Sequence, residues 1–259
     1  MPVVYQPDEQ ATVSMGGWVR RDWAGPEVFG AEVGMRACRY TAQPHAGPAE
    51  PMLGPEGMAY VISGSGTVSA GPGDPGMPLS PESVVWLDGA GLLAFRAGED
   101  GLDVLVAEAS APGADVPGAA GPGAPAGTAR VFAAAELPHL TSTRDTRDRL
   151  DLVTENVPVG ARLIRADRII YHPGDTAAPH YHADCHHVFC VLAGSGLLYS
   201  GGQAIRLEAG MSALVGPGEE HWFEDDRPEE FSFVEFWAPP PSDTVWTVNG
   251  DRCTWAPAS

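Results

Sequence analysis

The sequence predicts an all-β protein made of two antiparallel β-barrels joined by an Ala/Gly/Pro-rich linker. Three observations lead to this prediction: short apolar segments bounded by turn residues, a pattern that occurs twice, and one long stretch that cannot form a core. Segments such as LIRADRIIY, VFCVL and FSFVEFW are separated by Gly, Pro or Asp, which is typical of strands and tight turns in sandwiches and barrels.

The repeated pattern begins at residues 59–71 (AYVISGSGTVSAG) and at 189–201 (FCVLAGSGLLYSG). In both segments an apolar run is followed by Gly-Ser-Gly and by a second short run that ends in Gly. A second pair of similar segments covers 79–95 and 207–223. The two pairs are offset by 130 and 128 residues, so order and spacing are both kept. We interpret this as an internal duplication.

Residues 111–130 (APGADVPGAAGPGAPAGTAR) consist almost entirely of Ala, Gly and Pro, which is typical of a flexible linker. This predicts an N-terminal domain over 1–110 and a C-terminal domain over 131–259. Helix is scarce, and the best candidate is a turn or two over the arginine-rich residues 141–152. The turn signal Asn249-Gly250 predicts a closing hairpin in the tail.

Charge and composition exclude several classes of function. The 15 basic and 34 acidic residues give a net charge of −19, which disfavours nucleic-acid binding. All basic residues are Arg, so mechanisms that need a Schiff-base or P-loop lysine are excluded. No apolar run approaches the roughly 18 residues of a membrane span. With scattered cysteines and no signal-peptide pattern at the start, the sequence predicts a cytoplasmic protein.

Histidines are concentrated in the C-terminal half, where six of the eight lie between positions 172 and 221. His180 and His182 are two residues apart, so in a strand both project to one face. Of His186 and His187 only one can face the interior, and alternation with Phe189 favours His187. His221 follows a Gly-Pro-Gly turn 34 residues after His187, and a barrel would return it beside the first pair.

These residues resemble the two sequence motifs of the cupins, a family of small β-barrels in the jelly-roll group. The first motif has the form Gly174, five residues, His180-x-His182, four residues, His187, six residues and Gly194. The second has the form Gly210, five residues, Gly216-Pro217-Gly218, two residues, His221 and then Asp225. The resemblance implies a bicupin whose C-terminal barrel holds a metal ion on His180, His182, His187 and His221.

The sequence departs from the family pattern at three positions. His187 stands where the family usually has Glu, Gly216 replaces Pro, and Asp225 replaces Asn. An all-imidazole ligand set lacks one negative charge and favours Fe(II), Ni, Cu or Zn over Mn or Mg. The resemblance therefore implies one divalent transition metal, with Fe(II) as first choice and Ni, Cu, Zn or Mn as alternatives. A further alternative is that His187 is not a ligand, or that His186 takes its place.

The same barrel would supply the substrate pocket. By alternation we expect Phe189, Phe223 and Asp225 to face inward, with Tyr199 and Arg165 as polar contacts.

Glu235 in the late strand is a candidate catalytic base or a partner for a ligating imidazole, the alternative being an exposed strand carboxylate. In the N-terminal half Leu93 aligns with His221, and Gly57 or Glu56 aligns with His187, which predicts a domain without a metal site.

The resemblance implies a metal-dependent bicupin enzyme, and the all-His site favours a mononuclear iron dioxygenase acting on a small organic substrate. Two alternatives remain open. One is a non-redox isomerase, cyclase or aminohydrolase, and the other is a protein that binds a small molecule without turnover. A homodimer is expected because exposed strand edges favour pairing. Neither nucleic acid nor a membrane is expected as a partner.

Overall fold

The computed structural model describes residues 2–6, 10, 12–25, 34–49, 52–53, 55–71, 74–89, 91–109, 128–156, 159–250 and 252–258. Its chain divides into two compact units. One unit is Gln10–Glu136, and the other combines Met1–Glu9 with Leu137–Ser259. The segment over 110–127, which holds most of the predicted linker, lies outside the described residues.

The first strand of the chain, β1 (Val3–Tyr5), belongs to the second of these units. The unit over Gln10–Glu136 contains the next ten strands. They are β2 (Thr12–Met15), β3 (Trp18–Ala24), β4 (Met35–Ala42), β5 (Met52–Leu53), β6 (Glu56–Ser69), β7 (Met77–Leu79), β8 (Val84–Asp88), β9 (Gly91–Leu92), β10 (Ala94–Ala109) and β11 (Thr128–Phe132). A single 3₁₀ turn follows at Ala134–Glu136.

The main sheet of this N-terminal unit has the order β11-β8-β6-β10-β4-β3-β2, with β7 paired to β6 and with β5 and β9 forming a separate pair. Its core is apolar and fully buried, and it includes Trp18, Leu93, Phe95 and Val104. Because β11 begins at Thr128, residues 128–130 of the predicted linker are part of a strand that pairs with β8.

The C-terminal unit adds twelve strands to β1. They are β12 (His139–Ser142), β13 (Asp148–Val153), β14 (Arg165–Tyr171), β15 (His180–Tyr181), β16 (His186–Ala193), β17 (Ser195–Ser200), β18 (Gln203–Glu208), β19 (Ser212–Val215), β20 (His221–Glu224), β21 (Phe231–Ala238), β22 (Val245–Trp246) and β23 (Trp255–Pro257). One antiparallel sheet has the order β1-β19-β16-β21-β14-β13-β12-β23, and a second has the order β18-β17-β20-β15-β22. Phe189, Phe223, Phe231 and Phe233 dominate the core of this unit.

The two units arrange equivalent strands in the same order. The series β8-β6-β10-β4-β3-β2 in the N-terminal unit corresponds to β19-β16-β21-β14-β13-β12 in the C-terminal unit. The glycine that opens each Gly-Ser-Gly segment has a positive φ, +83° at Gly64 and +70° at Gly194. A Cβ atom at either position would overlap a carbonyl oxygen, that of Gly101 or of Glu230. This shared close approach explains why both copies keep glycine there, and it supports the duplication.

The all-β prediction and the two β units are confirmed, but two local predictions are wrong. The segment 141–152 forms parts of β12 and β13 instead of a helix. Within β13 the charged Arg149 and Asp151 alternate with the buried Leu150 and Leu152, which suits a strand. The tail does not form a hairpin, because β22 pairs with β15 while β23 pairs with β12 in the other sheet.

No helix in the described part of the chain is long and apolar enough to cross a membrane.

Candidate metal centre

Three histidines meet where β15 and β20 pair. His180 on β15 lies directly opposite His221 on β20, and His182 follows β15 by one residue. The candidate ligand atoms of these three side chains all lie within 4.8 Å of one another. The H-x-H spacing and the sheet register therefore bring together imidazoles that are about forty residues apart in sequence, since strand pairing joins distant segments.

Backbone carbonyls fix the tautomer of each of these histidines. The Nδ1 atoms of His180, His182 and His221 lie 2.8, 3.2 and 2.9 Å from the carbonyl oxygens of Ala178, Asp243 and Glu219 respectively. A carbonyl oxygen only accepts hydrogen bonds, so Nδ1 carries the proton and Nε2 keeps its lone pair. Metal-binding histidines in proteins are held by such hydrogen bonds from the other ring nitrogen.

Burial keeps the three imidazoles neutral. It lowers the pKa of His180 to about 4, lowers that of His182, and lowers that of His221 well below its usual value. A neutral imidazole is the form that binds a metal. Three neutral nitrogen donors at this separation suit a divalent transition ion, for which metal–nitrogen bonds are about 2.0–2.1 Å, as in zinc sites. The residues present therefore fit the metal that the sequence motifs imply.

His187 lies beside this cluster. It does not belong to the group of side chains whose ligand atoms all lie within 4.8 Å of one another. Its Nδ1 atom is 3.1 Å from Nε2 of His221, and its Nε2 atom is 3.1 Å from a carboxyl oxygen of Glu235. The ring stacks on Trp237 at a centroid distance of 4.4 Å and packs on Phe189 at 4.0 Å. His187 is buried, whereas its neighbour His186 is half-buried, as the alternation along β16 predicts.

Glu235 belongs to a row of carboxyl groups on the inner face of the large sheet. Strand pairing places it opposite Asp167 on β14, and Asp167 opposite Asp151 on β13. Burial, and then the charge of Asp167, raise the pKa of Glu235 well above its usual range. The same two causes raise the pKa of Asp151 to about 6. The structure therefore places a carboxyl group with a raised pKa in contact with His187.

A cavity of about 180 Å³ adjoins the histidines. One part of its wall is formed by the four histidines and Glu235. Another part is formed by arginines and aromatic side chains of the same unit. These are Arg147, Arg149, Arg165, Tyr171, Phe223, Trp237, Trp246 and Trp255.

Of the expected pocket residues, Phe223 and Arg165 line this cavity. Phe189 lies behind the wall, where its ring packs edge-on against Phe223 at 4.7 Å. The other two expected residues, Tyr199 and Asp225, are likewise not among the described residues that line the cavity.

The positions of these two side chains explain the difference. The Tyr199 hydroxyl donates to Glu224 over 2.7 Å, and its ring stacks on Trp222, which fixes it in a surface pair on the second sheet. Asp225 follows the end of β20, where its carboxylate accepts a hydrogen bond from the backbone N–H of Arg227. The Asp225 side chain is fully buried, as alternation with His221 and Phe223 predicts, but this backbone contact holds it at a position that does not line the cavity.

Sequence reasoning missed two groups of cavity residues. Arg147 and Arg149 lie in the segment with the predicted helix. Strand alternation puts Arg149 on the face opposite the buried Leu150 and Leu152, and no local signal identifies that face as the one that lines the cavity. Trp246 and Trp255 come from the tail, where the sequence carries no signal for a return to the cavity.

In the N-terminal unit the aligned position Leu93 is fully buried in the apolar core.

Comparison with known proteins supports the cupin assignment. Residues 167–237 match the family model described as the cupin domain. A Bacillus subtilis oxalate decarboxylase mutant is similar in structure, with a TM-score of 0.72, 14% identity, and coverage of 94% of this chain and 79% of that one. The Lactobacillus farciminis oxalate decarboxylase formate complex gives a TM-score of 0.72 and 14% identity over 94% and 88% of the two chains. A search among curated proteins found no significant sequence match.

Proposed function

This chain carries a cupin domain in a two-barrel bicupin fold, and we propose that it is a metal-dependent enzyme acting on a small organic substrate. One divalent transition metal is held by Nε2 of His180, His182 and His221 in the C-terminal barrel. The observation that carries this proposal is the shared orientation of the three imidazoles, whose Nδ1 atoms all donate to backbone carbonyls. The adjoining cavity is small enough to select metabolite-sized molecules, since drug-sized ligands occupy about 300–1,000 Å³.

Within this proposal we favour iron and a mononuclear dioxygenase that adds both atoms of O₂ to its substrate. The support is the ligand set, in which three neutral nitrogens leave the charge of the cation uncompensated. Such a set favours a softer transition metal over Mg²⁺. Bound there, the metal would supply Lewis acidity and, as iron, redox chemistry with O₂.

The residues of the chain have separate roles in this proposal. His187 and Glu235 share one proton between Nε2 and the carboxyl oxygen, and they can give it to the substrate or accept it from the substrate. Trp237, Trp246 and Trp255 form apolar walls that exclude water from the reacting group. The N-terminal unit contributes no residue to the cavity lining that the structure describes.

A second candidate is a non-redox lyase that releases CO₂ from a small carboxylic acid. The two similar proteins compared above are oxalate decarboxylases, and Mn(II) centres are named for the Bacillus subtilis enzyme in another similar structure. The observation that favours this candidate is the raised pKa of Glu235. Loss of CO₂ breaks a C–C bond and leaves the electron pair on the remaining carbon, and protonated Glu235 can transfer its proton to that carbon.

The experiment begins with elemental analysis of the purified protein. The metal-free protein is then loaded anaerobically with Fe(II), Mn(II) or Zn(II) and offered catechols, enols, thiols and small carboxylic acids. Oxygen uptake in step with product, with iron only, would support the dioxygenase. CO₂ release without oxygen uptake would support the lyase. Metal retention without turnover of any class would overturn the enzyme proposal in favour of a binding protein. His182→Ala is the metal-deficient control.

Homodimer formation and a cytoplasmic location stay predictions of the sequence.

A further inference from the structure

The cavity wall contains arginines that the metal-site proposal does not use. Arg165 lies opposite Trp237 in the pairing of β14 with β21, and Trp237 lies opposite His187 in the pairing of β21 with β16. Strands are about 4.8 Å apart, so the Arg165 backbone is roughly 10 Å from that of His187 along the same inner face. Arg149 lies one strand further, on β13. The arginines and the histidines therefore occupy different parts of one cavity wall.

All three nitrogens of the Arg147 guanidinium group already contact other groups of the protein. Its Nε atom donates to Asp145 over 2.9 Å, one terminal nitrogen donates to the hydroxyl of Tyr171, and the other lies 2.9 Å from the sulfur of Cys253. This side chain is 3% exposed. Arg147 therefore holds the wall of the cavity together and has little capacity left for a ligand.

Arg149 and Arg165 each have at least one terminal guanidinium nitrogen that makes no hydrogen bond within the described residues. The Nε atom of Arg149 lies 2.7 Å from Asp151, and its two terminal nitrogens have no acceptor among the residues that the structure describes. Arg165 donates from one terminal nitrogen to Asp167 over 3.0 Å, and its other terminal nitrogen has no acceptor in the described parts of the chain. Both side chains line the cavity.

Aromatic rings fix the orientation of both guanidinium groups. Arg149 lies over the ring of Trp255 at 4.9 Å, and Arg165 lies over the ring of Trp237 at 5.1 Å. Stacking and the buried carboxylate partners restrict each side chain before a ligand arrives, which lowers the entropy lost on binding. Planar, pre-oriented guanidinium groups are the protein's best match to a carboxylate, which accepts parallel hydrogen bonds from them.

We propose that the substrate is a small organic carboxylate whose carboxylate group binds Arg149 and Arg165, while its other polar end lies at the three histidines. This inference rests on the proposed function because it concerns the same cavity. The terminal nitrogens without acceptors supply the hydrogen bonds, and the neutral histidines leave the charge of the metal to attract the anion. The small cavity limits the substrate to a few carbon atoms beyond its carboxylate.

The test compares two ligands of nearly equal shape, pyruvate and pyruvamide, which differ only in that a neutral carboxamide replaces the carboxylate. Binding is measured by calorimetry on the metal-loaded protein, and also on the metal-free protein. We expect pyruvate to bind the wild type at least about tenfold more tightly. Arg149→Gln should weaken pyruvate binding about tenfold or more and leave pyruvamide binding unchanged.

Two further variants complete the design. Arg149→Lys keeps a positive charge beside Asp151 and guards against misfolding, and its affinity for pyruvate should lie between those of the wild type and Arg149→Gln. Arg206→Gln makes the same chemical change in a surface pair with Asp226 and should bind pyruvate like the wild type. Metal content and thermal unfolding of each variant show that the fold and the histidine cluster are intact.

The outcomes separate this inference from the proposed function. A protein that retains no metal, yet binds pyruvate through Arg149, would overturn the metal-dependent function and support the carboxylate site. A metal-loaded protein that binds both ligands equally, fails to bind pyruvate, or binds it equally well in Arg149→Gln would overturn the inference and leave the metal site standing.

Discussion

The Nδ1 atom of His187 lies 3.1 Å from Nε2 of His221, and at this distance a proton or a cation must lie between the two nitrogens. His221 donates its Nδ1 proton to the carbonyl of Glu219, so its Nε2 atom presents a lone pair to His187. Either His187 Nδ1 carries a proton and donates it, or both nitrogens face one cation. Two ligands at about 2.1 Å from the same ion would be separated by roughly 3 Å, which matches the observed distance.

The protonation state of the Glu235 carboxyl group determines whether His187 Nδ1 carries a proton or a free lone pair. When the carboxyl group is protonated it can donate to His187 Nε2, and His187 Nδ1 is then the protonated nitrogen. When it is ionised it accepts from His187 Nε2, which leaves the Nδ1 lone pair free for a metal. His187 can therefore act as a fourth ligand where the family usually has Glu, with Glu235 as its supporting carboxylate.

The first prediction concerns the three-histidine cluster. His182→Ala and His221→Ala should each lose most of the bound metal, because two imidazoles rarely retain a divalent ion against buffer. Metal per protein is measured by elemental analysis after dialysis. His172→Ala is the control, since His172 bonds to Asp148 and Glu230 away from the cluster. Equal metal content in all variants would contradict the proposed site.

The second prediction concerns His187 and its carboxylate. His187→Ala should weaken metal binding about 10- to 100-fold, and Glu235→Gln should have a smaller effect in the same direction, as expected for loss of a supporting partner. Metal dissociation constants are measured by competition with a chelator. His186→Ala is the matched control. If His186→Ala loses metal and His187→Ala does not, the ligand assignment is reversed.

The third prediction concerns pH. An ordinary imidazole with a pKa of about 6.5 loses metal affinity about tenfold per pH unit below that value, because protons compete with the metal. Burial lowers the pKa of His180 to about 4 and also lowers the pKa values of His182 and His221. The loss of metal affinity caused by protonation of these three histidines should therefore begin at a pH below 6.5. Dissociation constants measured at half-unit pH steps test this, and a tenfold loss per unit starting at pH 6.5 would refute it.

The fourth prediction uses two glycines of the first metal motif. Both have a positive φ, +90° at Gly174 and +70° at Gly194, but a Cβ atom meets nothing within 4 Å at Gly174 and overlaps the Glu230 carbonyl at Gly194. Gly174→Ala should cost about 1–2 kcal/mol from the backbone conformation alone. Gly194→Ala should cost about 1–3 kcal/mol more, because the backbone must move. Denaturant unfolding of both variants compares the two costs, and equal losses would show that the carbonyl contact is unimportant.

Much of this protein was predictable from local patterns. The alternation of short apolar runs with turn residues was enough to predict the all-β class. The repeated Gly-Ser-Gly segments were enough to predict two similar units. The H-x-H spacing placed His180 and His182 on one side of the chain, since a strand repeats every two residues. The choice of His187 over His186 as the buried residue followed from the same alternation with Phe189.

Other parts of the site could not be predicted because they depend on contacts between distant segments. Arg147 and Arg149 lie in a polar segment whose charges suggested an exposed helix. Their burial is made favourable by Asp145 and Asp151 and by the rings of Tyr171 and Trp255, which come from distant parts of the chain. Asp225 is buried as alternation along β20 predicts, but which buried side chains reach the cavity depends on how the whole unit packs. Trp246 and Trp255 reach the cavity because β22 and β23 add to opposite sheets, a pairing that no local pattern encodes.

The sequence by itself therefore determined the strand class, the duplication and the identity of the imidazoles, because each depends on spacing along the chain. Only the tertiary structure decided which ring nitrogens face one another, which arginines keep unused donors, and that Glu235 touches His187. These properties arise from the register between strands that are tens of residues apart, and register is set by the packing of the whole barrel.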